Sequence, residues 1–133
     1  MPDTQGEPVG GSRAAAISNL VVRLVCEYTG RGPTKAKTYL QDDLVTVVLQ
    51  DGLTKGEQSL IADGEHDVVL SMRKTFQKRM QRDFTSGVER ITGRRVIAFV
   101  GGDHLDPDIT IESFVLAPDA TDGDPPISEA VDR

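Results

Sequence analysis

The stretch from His66 to Thr92 constrains the fold more than any other part of the chain. It contains no proline, and its one glycine is Gly87. Its apolar residues recur at intervals of three or four, which is the period of a helix with one buried face. The pattern predicts a single helix of about 27 residues, on the order of 40 Å long at 1.5 Å per residue. The predicted apolar stripe consists of Val69, Met72, Phe76, Met80, Phe84, Val88 and Ile91.

The other face of this helix is basic, and we call it the basic ridge. A solvated helix face is the ordinary interpretation of such a pattern, although nucleic acid, anionic lipid or an acidic partner could also bind it. No aromatic residue is interleaved for base stacking, so we regard nucleic acid as an unlikely partner. The ridge consists of Arg73, Lys74, Lys78, Arg79 and Arg82.

Two segments before the long helix predict a helix and a β-hairpin. Apolar residues between Ile17 and Tyr28 follow the helical period, which predicts a helix over 13–29 with Ser12 as its N-cap. Residues 34–40 alternate between two faces, and residues 44–49 form a β-branched run. They predict two strands joined by a turn at 41–43.

A short helix and a second hairpin complete the set of elements. Thr54 and Glu57 match a capping box, which predicts a helix over 55–62. Gly93 is placed to end the long helix. Residues 95–100 and 109–116 read as strands on either side of a turn-rich segment. The order α-β-β-α-α-β-β predicts an α+β two-layer sandwich, with a four-stranded, mainly antiparallel sheet and the long helix connecting two hairpins.

Charge and composition predict one domain over 12–117. Residues 1–11 and 118–133 carry net charges of −2 and −4, which account for the whole net charge of −6. Both tails are poor in apolar residues, so we expect them to be disordered. No apolar run reaches the roughly 18–20 residues of a membrane span, and the N-terminus does not resemble a secretory signal. We therefore expect a cytoplasmic protein. The long helix exceeds what one sheet face covers, which predicts a homodimer.

A loop after the first helix offers groups for an anion or a partner. Its two glycines let backbone N–H groups converge, and its basic and hydroxyl side chains add donors. A helix stop followed by a turn explains the same residues, and the order of a P-loop is absent. We call this segment the 30–35 loop; it consists of Gly30, Arg31, Gly32, Pro33, Thr34 and Lys35.

The turn between the last two strands is a second candidate site, which we call the 104–108 loop. His104, Asp106 and Asp108 could ligate a divalent metal. The spacing does not match a calcium loop, and Asp and Pro are common in turns for local reasons. No nucleophile elbow or metalloprotease helix is present, and Cys26 lies beside an apolar helix stripe. We therefore expect neither an enzyme nor a cofactor.

These segments together resemble the MpsC-like family. The resemblance rests on the sequences EYTGRGP at 27–33, DLVTVVL at 43–49, DGLT at 51–54, GR at 93–94 and HLDPD at 104–108. It covers about residues 13–116 and leaves the tails outside. The family takes its name from a component of a sodium-translocating, membrane-potential-generating system associated with bicarbonate uptake.

The resemblance implies a role next to a membrane protein. Ion translocation requires a pathway through the membrane, which the sequence does not offer. The resemblance therefore implies a non-enzymatic accessory or regulatory domain that docks on a membrane ion-transport subunit, peripheral to the inner face of the membrane. It supplies no catalytic residues. Two alternatives stay open: a stand-alone sensor of a small anion at the 30–35 loop, and a metal-dependent enzyme at the 104–108 loop.

Overall fold

The computed structural model describes residues 9–118, so most of the predicted tails at 1–11 and 118–133 lies outside the described residues. Seven elements follow one another in the predicted order. They are α1 (Val9–Thr29), β1 (Lys35–Gln41), β2 (Leu44–Gln50), α2 (Lys55–Ala62), α3 (His66–Thr92), β3 (Val96–His104) and β4 (Ile109–Leu116). The predicted α+β class and element order are confirmed.

The four strands form one antiparallel sheet in the order β1-β2-β4-β3. The two hairpins, β1–β2 and β3–β4, are joined side by side through β2 and β4. This arrangement leaves β1 and β3 as the two edges of the sheet. Helix α1 packs against β1 and α3, while α3 packs against β3 and α2. One face of the sheet is therefore covered by helices.

The core lies between the helices and this covered face. Phe84 of α3, Phe99 of β3 and Phe114 of β4 form an aromatic cluster with ring centroids 5.0–6.5 Å apart. Gly87 lets α1 approach α3 closely, because a Cβ at this position would overlap the side chain of Leu20. The hydrophobic centre of the domain thus joins both helices to the second hairpin.

The buried stripe of α3 differs from the prediction at one step. Met72 is 38% exposed, whereas Arg73 is buried and 8% exposed. The prediction that Arg73 belongs to the exposed basic ridge is therefore wrong. The helical period puts position 73 four residues after Val69, on the covered face. The buried carboxylate of Glu57 pairs with the charge of Arg73 there. Lys74, Lys78, Arg79 and Arg82 are exposed.

Two boundaries also differ from the prediction by more than one residue. Helix α1 begins at Val9, so Ser12 lies inside the helix and is not its N-cap. Strand β3 continues to His104, through Gly101 and Gly102, which the sequence suggested as a turn. Pairing with β4 stabilises these glycines in the strand.

Most of the apolar stripe of the long helix is covered within the fold, so the reason for predicting a homodimer does not hold. Its buried residues extend from Val69 to Thr92, and α2 packs against α3. The predicted homodimer therefore needs a different interface.

Candidate functional site

The two candidate loops meet at the segment that follows β2. From the 30–35 loop, Arg31 Nη2 donates to the carbonyl oxygen of Asp51 (3.0 Å), and Thr34 Oγ1 donates to Asp51 Oδ2 (2.8 Å). From the 104–108 loop, Asp108 accepts from the backbone N–H of Asp51 (3.2 Å, at its carbonyl) and of Leu53 (2.9 Å, at Oδ2). Segments that are distant in the sequence thus converge at one end of the sheet.

Most donors of the 30–35 loop are engaged within the fold. Gly30 has a φ of +83° and ends α1, and its N–H donates to the carbonyl of Cys26. The N–H groups of Arg31 and Thr34 donate to Thr29 Oγ1 and to the carbonyl of Gln50. Arg31 Nε is buried and has no hydrogen-bond partner within the described residues. An anion at this loop would therefore rely mainly on Arg31 and the exposed Lys35.

The 104–108 loop does not form the metal site that the sequence suggested. His104 Nδ1 lies 2.8 Å from the carbonyl oxygen of Pro107, and Asp108 points towards Leu53, while Asp106 is exposed. Within residues 9–118, no group of three or more His, Cys, Asp or Glu side chains is placed to hold a metal ion. The acidic residues of this loop instead shape a turn and anchor the segment after β2.

A buried ion pair between α2 and α3 contacts the same segment after β2. Arg73 donates to Glu57 through Nε (2.9 Å to Oε2) and Nη2 (2.6 Å to Oε1), and Nη2 also donates to the carbonyl of Gly52 (2.8 Å). Glu57 closes the predicted capping box of α2, because its Oε1 accepts from the N–H of Thr54. One carboxylate thus caps α2 and fixes α2 to α3.

A small cavity next to this ion pair contains a second buried acid, Glu112 of β4. The cavity has a volume of about 20 Å³, enough for about one water molecule. Glu112 is 1% exposed, and its Oε1 accepts from Gln77 Nε2 (2.7 Å). Burial and the nearby charge of Asp103 raise the pKa of Glu112 from 4.5 to about 8, and Gln77 and Arg73 oppose this rise. Glu112 is therefore mostly protonated at neutral pH.

The backbone next to Glu112 is shaped to admit this contact. A Cβ at Gly101 would overlap both Gln77 Nε2 and Glu112 Oε1, so a larger residue at this position of β3 would displace the hydrogen bond between these two side chains. Asp103 lies two residues further along β3 and accepts from Thr110 Oγ1 (2.6 Å). Gln77 and Asp103 separate the cavity from an open groove of about 480 Å³ between α3 and β3.

A comparison with protein families identifies the chain. The family model described as the Na⁺-translocating membrane potential-generating system (MpsC) matches residues 10–118. The chain belongs to the MpsC family. The resemblance inferred from the sequence is thereby confirmed. No curated protein and no solved structure matches the chain. Within the described part of this MpsC protein, no helix has the length and apolar character needed to cross a membrane.

Three of the segments that carried the resemblance contribute to the cavity of this MpsC protein. Its lining includes Pro33, Leu49 and Gly52 from these segments. The sequence therefore pointed to the correct end of the molecule. It did not point to Glu112, because both faces of β4 contain apolar residues, and alternation alone does not say which face is buried.

Proposed function

We propose that this protein is a non-enzymatic accessory or regulatory component of a Na⁺-translocating, membrane-potential-generating system associated with bicarbonate uptake. The observation that carries the proposal is the family match over residues 10–118. In this proposal the protein is a cytoplasmic homodimer that docks on a membrane-spanning component at the inner face of the membrane. The small volume of the Glu112 cavity supports a structural or proton-linked role for this acid rather than the binding of an organic substrate.

The basic ridge is the surface that we propose for docking. Because Arg73 is buried, the ridge consists of the exposed residues Lys74, Lys78, Arg79 and Arg82. The first two and Arg82 are spaced by four residues, so they lie along one line of α3. Exposed charges of one sign steer association with an oppositely charged surface, and the effect weakens as salt rises.

Reversing the charge of the ridge is expected to reduce recovery of the membrane partner. The test compares in-cell crosslinking and affinity isolation of the wild type with that of a Lys78→Glu/Arg82→Glu variant. The matched control, Lys37→Glu/Lys55→Glu, makes the same change in net charge at exposed positions away from the ridge. We expect a loss of about tenfold or more in recovered partner for the ridge variant only. Equal recovery with both variants would refute docking through the ridge.

A stand-alone anion sensor is the second candidate, and one observation favours it. The buried Arg31 Nε lacks a partner within the described residues, and a bound anion would supply one. Bicarbonate, phosphate or a small carboxylate is then expected to raise the melting temperature of the wild type, and to do so less in an Arg31→Lys variant. The absence of a shift with all three anions would remove this candidate.

A further inference from the structure

The two edges of the sheet differ in how they are protected. Free strand edges expose unpaired backbone groups, and natural proteins commonly block them with charged side chains. The edge strand β1 carries Lys35 and Lys37. The edge strand β3 is nine residues long, and it contains no charged residue or proline from Val96 to Gly102. Within residues 9–118, lysines thus protect one edge, whereas most of the other edge strand has no charged side chain.

Two apolar side chains of this edge strand are exposed, Val100 at 69% and Ile97 at 49%. Val100 lies on the sheet face that the helices leave uncovered. Gly102 has no heavy atom within 4 Å of the position that a Cβ would occupy. Glycine within a strand often marks a close approach of a second backbone. The groove of about 480 Å³ between α3 and β3, lined in part by Leu70 and Lys74, provides open space beside this edge.

The charges at the two ends of β3 are opposite in sign. Arg95 precedes the strand and is exposed, whereas Arg94 is bonded to Asp43. Asp106 follows the strand and is also exposed. When two copies of one strand pair antiparallel, the start of each lies next to the end of the other. Arg95 of one copy would then lie near the partner's Asp106, whereas parallel pairing would bring like charges together.

We propose that β3 pairs antiparallel with β3 of a second copy of this chain about a two-fold axis, and so forms one eight-stranded sheet. The inference rests on the proposed function only in that it specifies the interface of the proposed homodimer. A nine-residue strand spans about 30 Å, and the two layers are about 20 Å thick. The contact therefore covers roughly 600 Å² per copy, near the lower end of specific interfaces. The dimer should dissociate on dilution.

Sedimentation velocity of the full chain over the low to high micromolar range tests the proposal, with a matched pair of variants. Tyr39 of β1 and Val100 of β3 lie at opposite ends of one cross-strand row, which runs through Thr46 and Ser113. Val100→Lys places a lysine on the open edge, as β1 already does on its own edge. Tyr39→Lys makes the same change on the other edge, where the wild-type residue is 52% exposed.

We expect a concentration-dependent dimer for the wild type and for Tyr39→Lys. The dissociation constant of the Val100→Lys dimer should rise by about tenfold or more, because the two-fold axis brings two new lysines into the contact. A wild type that is monomeric at every concentration overturns the proposal. So does an equal weakening by both variants, which would indicate pairing through the open sheet face instead.

Amide hydrogen exchange of the wild type provides a test that does not depend on any variant. Protection of backbone amides in β3 is expected to rise with protein concentration, while that of β1 stays constant. Protection in β3 that does not change with concentration would contradict the pairing. The tests of the β3 interface do not depend on the membrane partner. If the chain dimerises through β3 but crosslinking recovers no membrane protein, the docking role is refuted and the β3 interface stands.

Discussion

A Glu112→Gln variant is expected to become increasingly more stable than the wild type as the pH rises from 4.5 to about 8. The folded state raises the pKa of Glu112 from 4.5 to about 8, chiefly through burial and secondly through the charge of Asp103. Between these values the folded wild type keeps a proton that the unfolded chain releases. The favourable contribution of the protonated acid is therefore complete below pH 4.5 and is lost as the pH rises through about 8.

The size of this effect makes it measurable by urea denaturation. Each unit of pKa shift corresponds to about 1.4 kcal/mol, so the loss across the interval is on the order of 5 kcal/mol. Glutamine has nearly the shape of glutamic acid, still accepts from Gln77 and does not titrate. The difference in the free energy of unfolding between variant and wild type should grow with pH and level off above about 8.

A Glu27→Gln variant is the matched control for this experiment. Glu27 is exposed and forms a surface pair with Arg23 (3.8 Å), and such a pair contributes about 0–1 kcal/mol. Its stability should follow that of the wild type at each pH. Parallel pH curves for Glu112→Gln and the wild type would contradict the assignment of a protonated acid to the cavity.

An Arg73→Met variant is expected to lose about 3–5 kcal/mol of unfolding free energy. The substitution leaves the carboxylate of Glu57 buried without its cation, and the side chains of this pair are only 8% and 3% exposed in the folded state. Removing one partner of a buried pair costs this much because the remaining charge is uncompensated. It also removes a donor from the carbonyl of Gly52. Urea denaturation at neutral pH measures the change.

Two further variants separate the ion pair from general effects on α3. Lys78→Met changes an exposed position of the same helix, so it should alter stability by less than about 0.5 kcal/mol. An Arg73→Met/Glu57→Gln double variant removes both charges and keeps an acceptor for the N–H of Thr54, so it should recover part of the loss. A loss below about 1 kcal/mol for Arg73→Met alone would show that the pair is not a stabilising contact.

The fold could be predicted from the sequence largely because its signals are local. The bounds of α2, α3 and β4 follow from a capping box, from helical periodicity ended by Gly93, and from alternation. The start of α1 and the length of β3 depend on contacts outside the local sequence. Pairing with β4 continues β3 through Gly101 and Gly102, and single-residue preferences cannot show this.

The site was harder to predict because it is formed by tertiary contacts between charged or polar residues. An arginine next to a run of basic residues is expected to be exposed, and the sequence does not show that Glu57 of α2 lies beside Arg73 and compensates its buried charge. Glu112 lies between Ile111 and Ser113 on a strand whose two faces both contain apolar residues, so its burial is decided by which face α3 covers. The resemblance located the surrounding loops but assigned no role to either acid.

In-cell crosslinking followed by affinity isolation of the wild-type chain from soluble and membrane fractions tests the proposed function most directly. We predict that a protein with several membrane-spanning helices is recovered from the membrane fraction with this chain. Recovery of the chain with copies of itself alone, in the soluble fraction, would contradict a docking role in a membrane-potential-generating system.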